Sequence, residues 1–257
     1  MLFRSVLSCT DTLLKESYEM TKSFDGMLFH THASENKHEV EAVRNRCKME
    51  NIEFLESICV LSGKSCLAHC IHLHENEIDI LKRRRAHVVH CPSSNLKLGS
   101  GIANISKFRQ HGINVALGAD GAPCNNTLSI FEEMRLASLL HKVTHGPTAM
   151  TAKTAFEMAT MSGAKALGLE HEIGSLEVGK KADIVLLNIE PVWNPLSHRD
   201  EDIYSSIVYS SSPENVDSVM IDGTWVYQKK EFVKLDVETV RRDAQHELQL
   251  LLARMDS

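Results

Sequence analysis

The chain has 257 residues, of which 43% are hydrophobic and 24% are charged, a composition typical of a globular protein with one substantial core. The formal net charge of −6 argues against nucleic acid or an anionic membrane as the main partner. No apolar run approaches the roughly 18 residues that span a bilayer. The seven cysteines form no CxxC pair, which favours reduced thiols and a cytoplasmic protein.

Short apolar strands alternate with amphipathic helices through the first two thirds of the chain. Strands are predicted at 27–32, 66–73, 87–92 and 113–120, and helices at 10–24, 36–51, 75–86, 102–112, 128–143 and 151–169. Because these strands lack a polar face, the alternation predicts a parallel α/β sheet or barrel. The basic run at 82–85 is interpreted as a solvated helix face.

The pattern changes after Leu169. A strand at 182–187 is followed by a loop-rich segment at 188–215, and Asp222-Gly223 is a strong signal for a two-residue hairpin between antiparallel strands. A closing helix is predicted at 236–255. The chain is therefore expected to divide into residues 1–172 and a β-rich accessory segment at 173–257.

Polar side chains stand at four successive strand ends: His32, His69, His90 and Asp120. The carboxyl ends of the strands of an α/β barrel all point to one face, where such barrels place their active sites. One histidine in such a place is weak evidence, whereas three histidines and an aspartate indicate a functional site.

The residue types suggest hydrolytic chemistry. Imidazole and carboxylate are preferred ligands of zinc and non-haem iron, and a bound divalent ion makes hydroxide available near neutral pH. Asp120 is predicted to accept a proton from the attacking water. Glu35, three residues after His32, is predicted to protonate a ring nitrogen or a leaving group of the substrate.

Five motifs in order resemble the amidohydrolase superfamily, and within it the branch that contains methylthioadenosine/S-adenosylhomocysteine deaminases and triazine hydrolases. They are HTHASE, CLAHCIHL, HCPSSNLKLGSGIA, LGADGAPCNNTLSIFEEMRLASLL and GSLEVGKKADIVLL. The resemblance implies one divalent metal ion, zinc or else iron, in a (β/α)8 barrel that is flanked by a β-sandwich from both chain ends.

The same resemblance implies a role for each matched residue. His32 corresponds to a metal ligand and Glu35 to the residue that shuttles protons to the substrate. His69 corresponds to the histidine that contacts the attacking water and the tetrahedral intermediate. Asp120 corresponds to a metal ligand and general base, whereas His90 is not expected to be a ligand.

The family's upstream HxH motif has no counterpart, since His30-x-His32 stands where the fifth barrel strand belongs. A whole barrel takes about 250 residues, so the expected fold is a partial (β/α)8 barrel, about strands 4–8, in residues 1–172, with a C-terminal β-sandwich segment. The chain is expected to resemble the C-terminal part of a larger protein, whether through truncation, a partial gene model or a short product. An open sheet edge would then seek a partner, which leaves a homo-oligomer open.

The leading hypothesis is a metal-dependent deaminase of a small amino-substituted N-heterocycle, such as an adenine nucleoside, a guanine-like base or a triazine. With His32 and Asp120 as the only clear ligands, the chain alone is expected to bind metal weakly and to have little or no activity. The alternative is a non-catalytic homologue that acts as a scaffold. Arg4 is predicted either to contact a carbonyl, phosphate or carboxylate of the substrate or to lie near a frayed terminus.

Overall fold

The computed structural model describes residues 2–189 and 199–255, which form two sheets. Five parallel strands lie in the order of the chain: β1 (Leu2–Ser5), β2 (Phe29–Ala33), β3 (Ser65–His69), β4 (His87–His90) and β5 (Val115–Leu117). Four antiparallel strands form the second sheet: β6 (Ile184–Leu187), β7 (Val216–Ile221), β8 (Thr224–Gln228) and β9 (Glu231–Phe232).

Helices fill the connections between the parallel strands and continue after the last of them. They are α1 (Asp11–Ser23), α2 (Lys37–Cys47), α3 (Asn51–Ser57), α4 (Glu75–Arg84), α5 (Pro92–Lys97), α6 (Ile105–Gln110), α7 (Ala122–Asn125), α8 (Ile130–His145), α9 (Ala152–Ala159), α10 (Met161–Ala166), α11 (Asp200–Ser205) and α12 (Val237–Met255). No helix among the described residues is long and apolar enough to cross a membrane.

Local sequence signals set the ends of several helices. The Thr10 side chain accepts from the backbone N–H of Leu13 and begins α1, and Asn36 caps α2 through Glu39 N–H in the same way. These side chains satisfy backbone donors that the first helical turn leaves without partners. The basic run at the end of α4 is exposed, as predicted, and Arg83 and Arg84 pair with Glu56.

The main core lies on one face of the parallel sheet. Phe29, Leu67, Val88 and Val115 are each 0% exposed and belong to one hydrophobic cluster with residues of the covering helices. Side chains alternate along a strand, so His30 and His32 of β2 take the other face and are only half-buried. That face lines an open groove of about 630 Å³.

Several predicted elements are shorter in the structure, and the backbone shows why in two cases. The helix predicted at 151–169 is two helices, α9 and α10, because Thr160 leaves the helical conformation at φ −121° and ψ −92°. The strand predicted at 66–73 ends at His69, because His69 and Cys70 turn to φ 71° and 50°.

The C-terminal region is antiparallel, and its Asp222-Gly223 turn joins β7 to β8 as predicted, with both residues at positive φ. Its four described strands form a single sheet, so the expected sandwich is not present among the residues described. No residue of α12 is buried. Residues 190–198 of the predicted loop lie outside the described residues, and the division at residue 172 stays a prediction.

Glu77 is a buried carboxylate that joins two helix starts. It is 0% exposed, and its two oxygens accept from the backbone N–H groups of Ile52 and His74 at 3.0 and 2.9 Å. We expect Glu77→Ala to lower the free energy of unfolding by about 2 kcal/mol, because the buried N–H of Ile52 and the part-buried N–H of His74 both lose their acceptor. Urea unfolding would measure it.

Glu75→Ala is the matched control, since its side chain is 70% exposed and its ion pair with Lys107 lies at the surface. Exposed pairs contribute at most about 1 kcal/mol. Equal losses in the two variants would contradict the role assigned to Glu77.

Candidate active site

Four of the predicted residues come together at the carboxyl edge of the parallel sheet. His32 lies in β2 and His69 ends β3, and their rings stack with centroids 5.1 Å apart. Glu35, just after β2, places Oε2 3.9 Å from Nε2 of His69. Asp120 follows β5 and is close enough for both histidines to act on its carboxylate electrostatically.

The backbone is strained where the site residues leave the sheet. Strict alternation would turn His69 to the face opposite His32, yet the two rings stack, and His69 adopts φ 71°. Asp120 is also left-handed at φ 61°. Residues other than glycine seldom adopt this region, and each such residue costs on the order of 1–3 kcal/mol.

Gly118 allows β5 to end beside β4 just before Asp120. A Cβ at this position would lie 2.7 Å from Cγ1 of Val89 and 3.3 Å from Sγ of Cys91. Its backbone N–H donates to the carbonyl of His90 at 2.9 Å, which extends the strand pairing by one residue. Only glycine fits here without a shift of β4, so the approach to Asp120 depends on it.

Helix α5 lies beneath the site and contacts residues from two strands. Ser94 Oγ donates to Oδ2 of Asp120 at 2.5 Å, and Asn95 Oδ1 is 2.8 Å from Nδ1 of His69. Both side chains are essentially buried, at 0% and 1% exposure. Adjacent residues of one helix therefore fix side chains that come from β3 and from the end of β5.

A buried carboxylate attaches α5 to α8. Glu133 is 0% exposed; Oε2 accepts from the backbone N–H of Ser93 at 3.1 Å, and Oε1 accepts from Asn125 at 2.7 Å. Burial raises the pKa of Glu133, although the bonds from Ser93 and Asn125 oppose the rise. The network ties α5, α7 and α8 together behind the site.

Glu35 is held by its backbone and by a serine. Its N–H donates to Oε2 of the buried Glu39 at 2.7 Å, which fixes the turn after β2. Its own Oε1 lies 3.5 Å from Oγ of Ser100. The side chain of Glu35 is 14% exposed, so it is accessible from the mouth of the site while its backbone is fixed.

The electrostatics keep Asp120 charged and His69 neutral. Burial tends to raise the pKa of Asp120, but hydrogen bonds from Ser94 and Gly121 outweigh it and hold the pKa below its usual value. Burial lowers the pKa of His69 by more than its bond to Asn95 and the nearby Glu35 raise it. The site thus pairs an ionised carboxylate with an uncharged imidazole at neutral pH.

The donors among the described residues do not complete a catalytic metal site. Across residues 2–189 and 199–255, no group of three or more His, Cys, Asp and Glu side chains is arranged to hold a metal ion. Catalytic zinc usually has three protein ligands and a water. The predicted ligands His32 and Asp120 are one fewer than that, so the described residues do not fit a catalytic zinc ion by themselves.

The structure places the His90 side chain in the protein interior. It ends β4 but is 1% exposed and stacks on His141 of α8 at a centroid distance of 5.8 Å. Neither ring has a hydrogen-bond partner within the described part of the chain. His90 therefore belongs to the protein interior, and its position at a strand end does not bring it into the site.

Arg4 lies in β1, but its side chain is outside the described part of the chain, so its contact with substrate stays a prediction. Sequence reasoning missed the supporting residues Ser94, Asn95, Ser100 and Glu133. The first two stand in the quoted motif HCPSSN, directly after an apolar strand. That placement was the available signal, because a polar pair at a strand end lies at the edge where the other site residues gather.

These features define a class of site: carboxylates and imidazoles gathered at the carboxyl edge of the parallel sheet of an α/β protein. The model of the amidohydrolase family matches residues 3–226. The chain therefore belongs to the amidohydrolase family.

Curated relatives in this family are deaminases. The 5-methylthioadenosine/S-adenosylhomocysteine deaminase of Caldanaerobacter subterraneus is 37% identical over 95% of this chain and 56% of its own length. The 5'-deoxyadenosine deaminase of Methanothermobacter thermautotrophicus is 40% identical over 92% of this chain and 54% of its own. The chain thus spans just over half the length of the curated relatives it matches.

A solved structure extends the likeness to the fold. An adenosine deaminase from Xanthomonas campestris with bound zinc superposes with a TM-score of 0.92 at 29% identity, over 98% of this chain and 57% of that one. The described sheets and helices are therefore arranged as in the corresponding part of an amidohydrolase deaminase.

The buried histidine pair predicts how stability changes with pH. Burial lowers the pKa of His90 to about 3 and that of His141 to about 4, from 6.5. Below pH 6.5 these histidines are protonated in the unfolded chain but stay neutral in the folded chain. The free energy of unfolding should therefore decrease as the pH is lowered, by up to about 1.4 kcal/mol per pH unit for each histidine, until the folded pKa is reached.

We expect His141→Leu to make this dependence shallower, as measured by urea unfolding between pH 7 and about pH 4.5, just above the folded pKa of His141. His38→Leu is the control, because His38 is exposed. If both variants kept the slope of the unmodified chain, the buried pair would not be its source.

Proposed function

We propose that this chain supplies the proton-handling residues of a hydrolytic deaminase that acts on an adenine nucleoside modified at its 5' position. The observation that carries the proposal is the convergence of Glu35, His69 and Asp120 at one edge of the parallel sheet. The substrate class is supported by the two curated relatives, whose names specify 5-methylthioadenosine, S-adenosylhomocysteine and 5'-deoxyadenosine.

The proposed reaction replaces the exocyclic amine of the purine by oxygen. Asp120, ionised and held by Ser94, accepts a proton from the attacking water as its oxygen bonds to the amine-bearing carbon. Glu35 in its protonated form donates to the adjacent ring nitrogen. The tetrahedral intermediate then collapses: the amine takes the proton from Asp120 as the C–N bond breaks and leaves as ammonia, and the hydroxyl proton passes to Glu35 as the carbonyl forms.

Zinc would supply Lewis-acid activation of the attacking water in the full site of a relative that binds it. The two predicted donors of this chain, His32 and Asp120, would be part of a larger donor set. The chain alone is accordingly expected to bind the ion weakly and to turn over slowly.

The non-catalytic alternative has one observation in its favour, the lack of a three-donor group among the described residues. The site itself argues against this alternative, because it costs free energy of folding. His69 and Asp120 have left-handed backbone conformations, and a polar network is buried behind them. A scaffold has no physical need for either.

The test is ammonia release by the 257-residue chain from 5'-methylthioadenosine and 5'-deoxyadenosine, with and without added Zn²⁺. Slow release above the uncatalysed rate is expected, and Glu35→Gln should reduce it by about 100-fold or more, because the amide cannot donate an acidic proton. Glu41→Gln is the matched control on an exposed position of α2.

Absence of any release that depends on Glu35 would contradict the catalytic proposal and favour the scaffold. Rapid, zinc-dependent turnover would support catalysis but overturn the expected weak binding of metal by this chain.

A further inference from the structure

Asn95 is a buried residue that contacts the candidate site from the interior of the protein. Its side chain is 1% exposed and meets Nδ1 of His69 at 2.8 Å. Its backbone carbonyl accepts from the N–H of Ser100 at 2.9 Å, and Ser100 Oγ lies 3.5 Å from Oε1 of Glu35. One buried residue thus touches His69 directly and reaches Glu35 through Ser100.

The atom that faces His69 decides where the imidazole proton lies. The amide is placed with Oδ1 towards the ring; that oxygen accepts, which assigns the hydrogen to Nδ1 of His69, and Nδ2 of Asn95 is then buried without a hydrogen-bond partner among the described residues. In a neutral imidazole the other nitrogen is then an acceptor. That nitrogen, Nε2, lies 3.9 Å from Oε2 of Glu35, on the side where the two side chains face each other.

We propose that Asn95 is a positioning residue that holds His69 in the Nδ1–H tautomer, so that Nε2 faces Glu35 and the reacting atoms as a hydrogen-bond acceptor. The catalytic part of this inference rests on the proposed function; the tautomer does not. In the reaction, Nε2 accepts a hydrogen bond from the second hydrogen of the attacking water, while Asp120 takes the first as a proton. The same Nε2 then accepts from the hydroxyl group of the tetrahedral intermediate.

A second histidine–asparagine pair in the same molecule has the opposite arrangement. Asn114 turns its Nδ2 towards Nδ1 of His87 at 3.0 Å and towards the carbonyl of Ser162, also at 3.0 Å. Nε2 of His87 lies 3.1 Å from the carbonyl of Gly63, which can only accept. His87 is therefore expected as the Nε2–H tautomer, and it contacts none of the candidate site residues named above.

The two pairs allow an internal comparison by NMR. Long-range ¹H–¹⁵N correlation spectra distinguish protonated from unprotonated ring nitrogens, and the loss of one signal set in His69→Gln or His87→Gln assigns each ring. At a pH where both rings are neutral, His69 should carry its hydrogen on Nδ1 and His87 on Nε2. His69 found as Nε2–H in the unmodified chain would overturn the proposal, whatever happens to any variant.

Variants then test the cause. Asn95→Ala should shift His69 to a mixture of tautomers or to Nε2–H, and Asn95→Asp should keep Nδ1–H because a carboxylate oxygen still accepts. Asn114→Ala should leave the His69 spectrum unchanged. An unchanged tautomer in Asn95→Ala would mean that another group sets it and would contradict the proposal.

The rate of ammonia release tests the role of Asn95 independently of the NMR spectra. We expect Asn95→Ala to lower kcat for ammonia release by about 10- to 100-fold with a smaller change in KM, since the substrate contacts remain while His69 loses its orientation. Asn95→Asp should recover part of this loss, and Asn114→Ala should leave kcat unchanged. If the tautomers are as expected but the unmodified chain releases no ammonia, the proposed function fails and the assignment of Asn95 to His69 stands.

Discussion

The parallel direction of β1 to β5 is the constraint on which the rest of the molecule depends. Parallel strands need long crossovers, and helices form these crossovers. The apolar sides of the helices cover one face of the sheet, where they pack against the strand residues Phe29, Leu67, Val88 and Val115. The same direction sends every carboxyl end to one edge. Residues that are far apart in sequence, such as Glu35 and Asp120, therefore lie at the same edge of the sheet.

A position at this edge does not by itself orient the side chains of the candidate site. Polar residues of α5 and α8 behind the site orient them. Ser94 and Asn95 reach side chains from two different strands, and Glu133 attaches the backbone of α5 to α8. Each of these three contacts is a hydrogen bond, which offsets part of the cost of burying the groups, although Nδ2 of Asn95 has no partner among the described residues.

Much of this could be predicted from the sequence, for reasons that particular residues make clear. The caps at Thr10 and Asn36, the turn at Asp222-Gly223 and the alternation in β2 are local, so a short window contains all the information. The edge position of His32, His69 and Asp120 followed from strand direction alone. The split between α9 and α10, the burial of His90 against His141 and the bond from Asn95 to His69 depend on contacts between distant segments, which no local pattern encodes.

The left-handed backbone at His69 and Asp120 has a consequence for anyone who engineers this protein. A screen for stabilising substitutions would tend to select glycine at His69 or Asp120, because glycine adopts a positive φ without backbone strain. Such substitutions would remove the side chains that the proposed reaction uses. A safer programme would begin at exposed apolar side chains far from that edge, such as Leu176 and Val143, which are 78% and 87% exposed, and would leave the ends of β3 and β5 as they are.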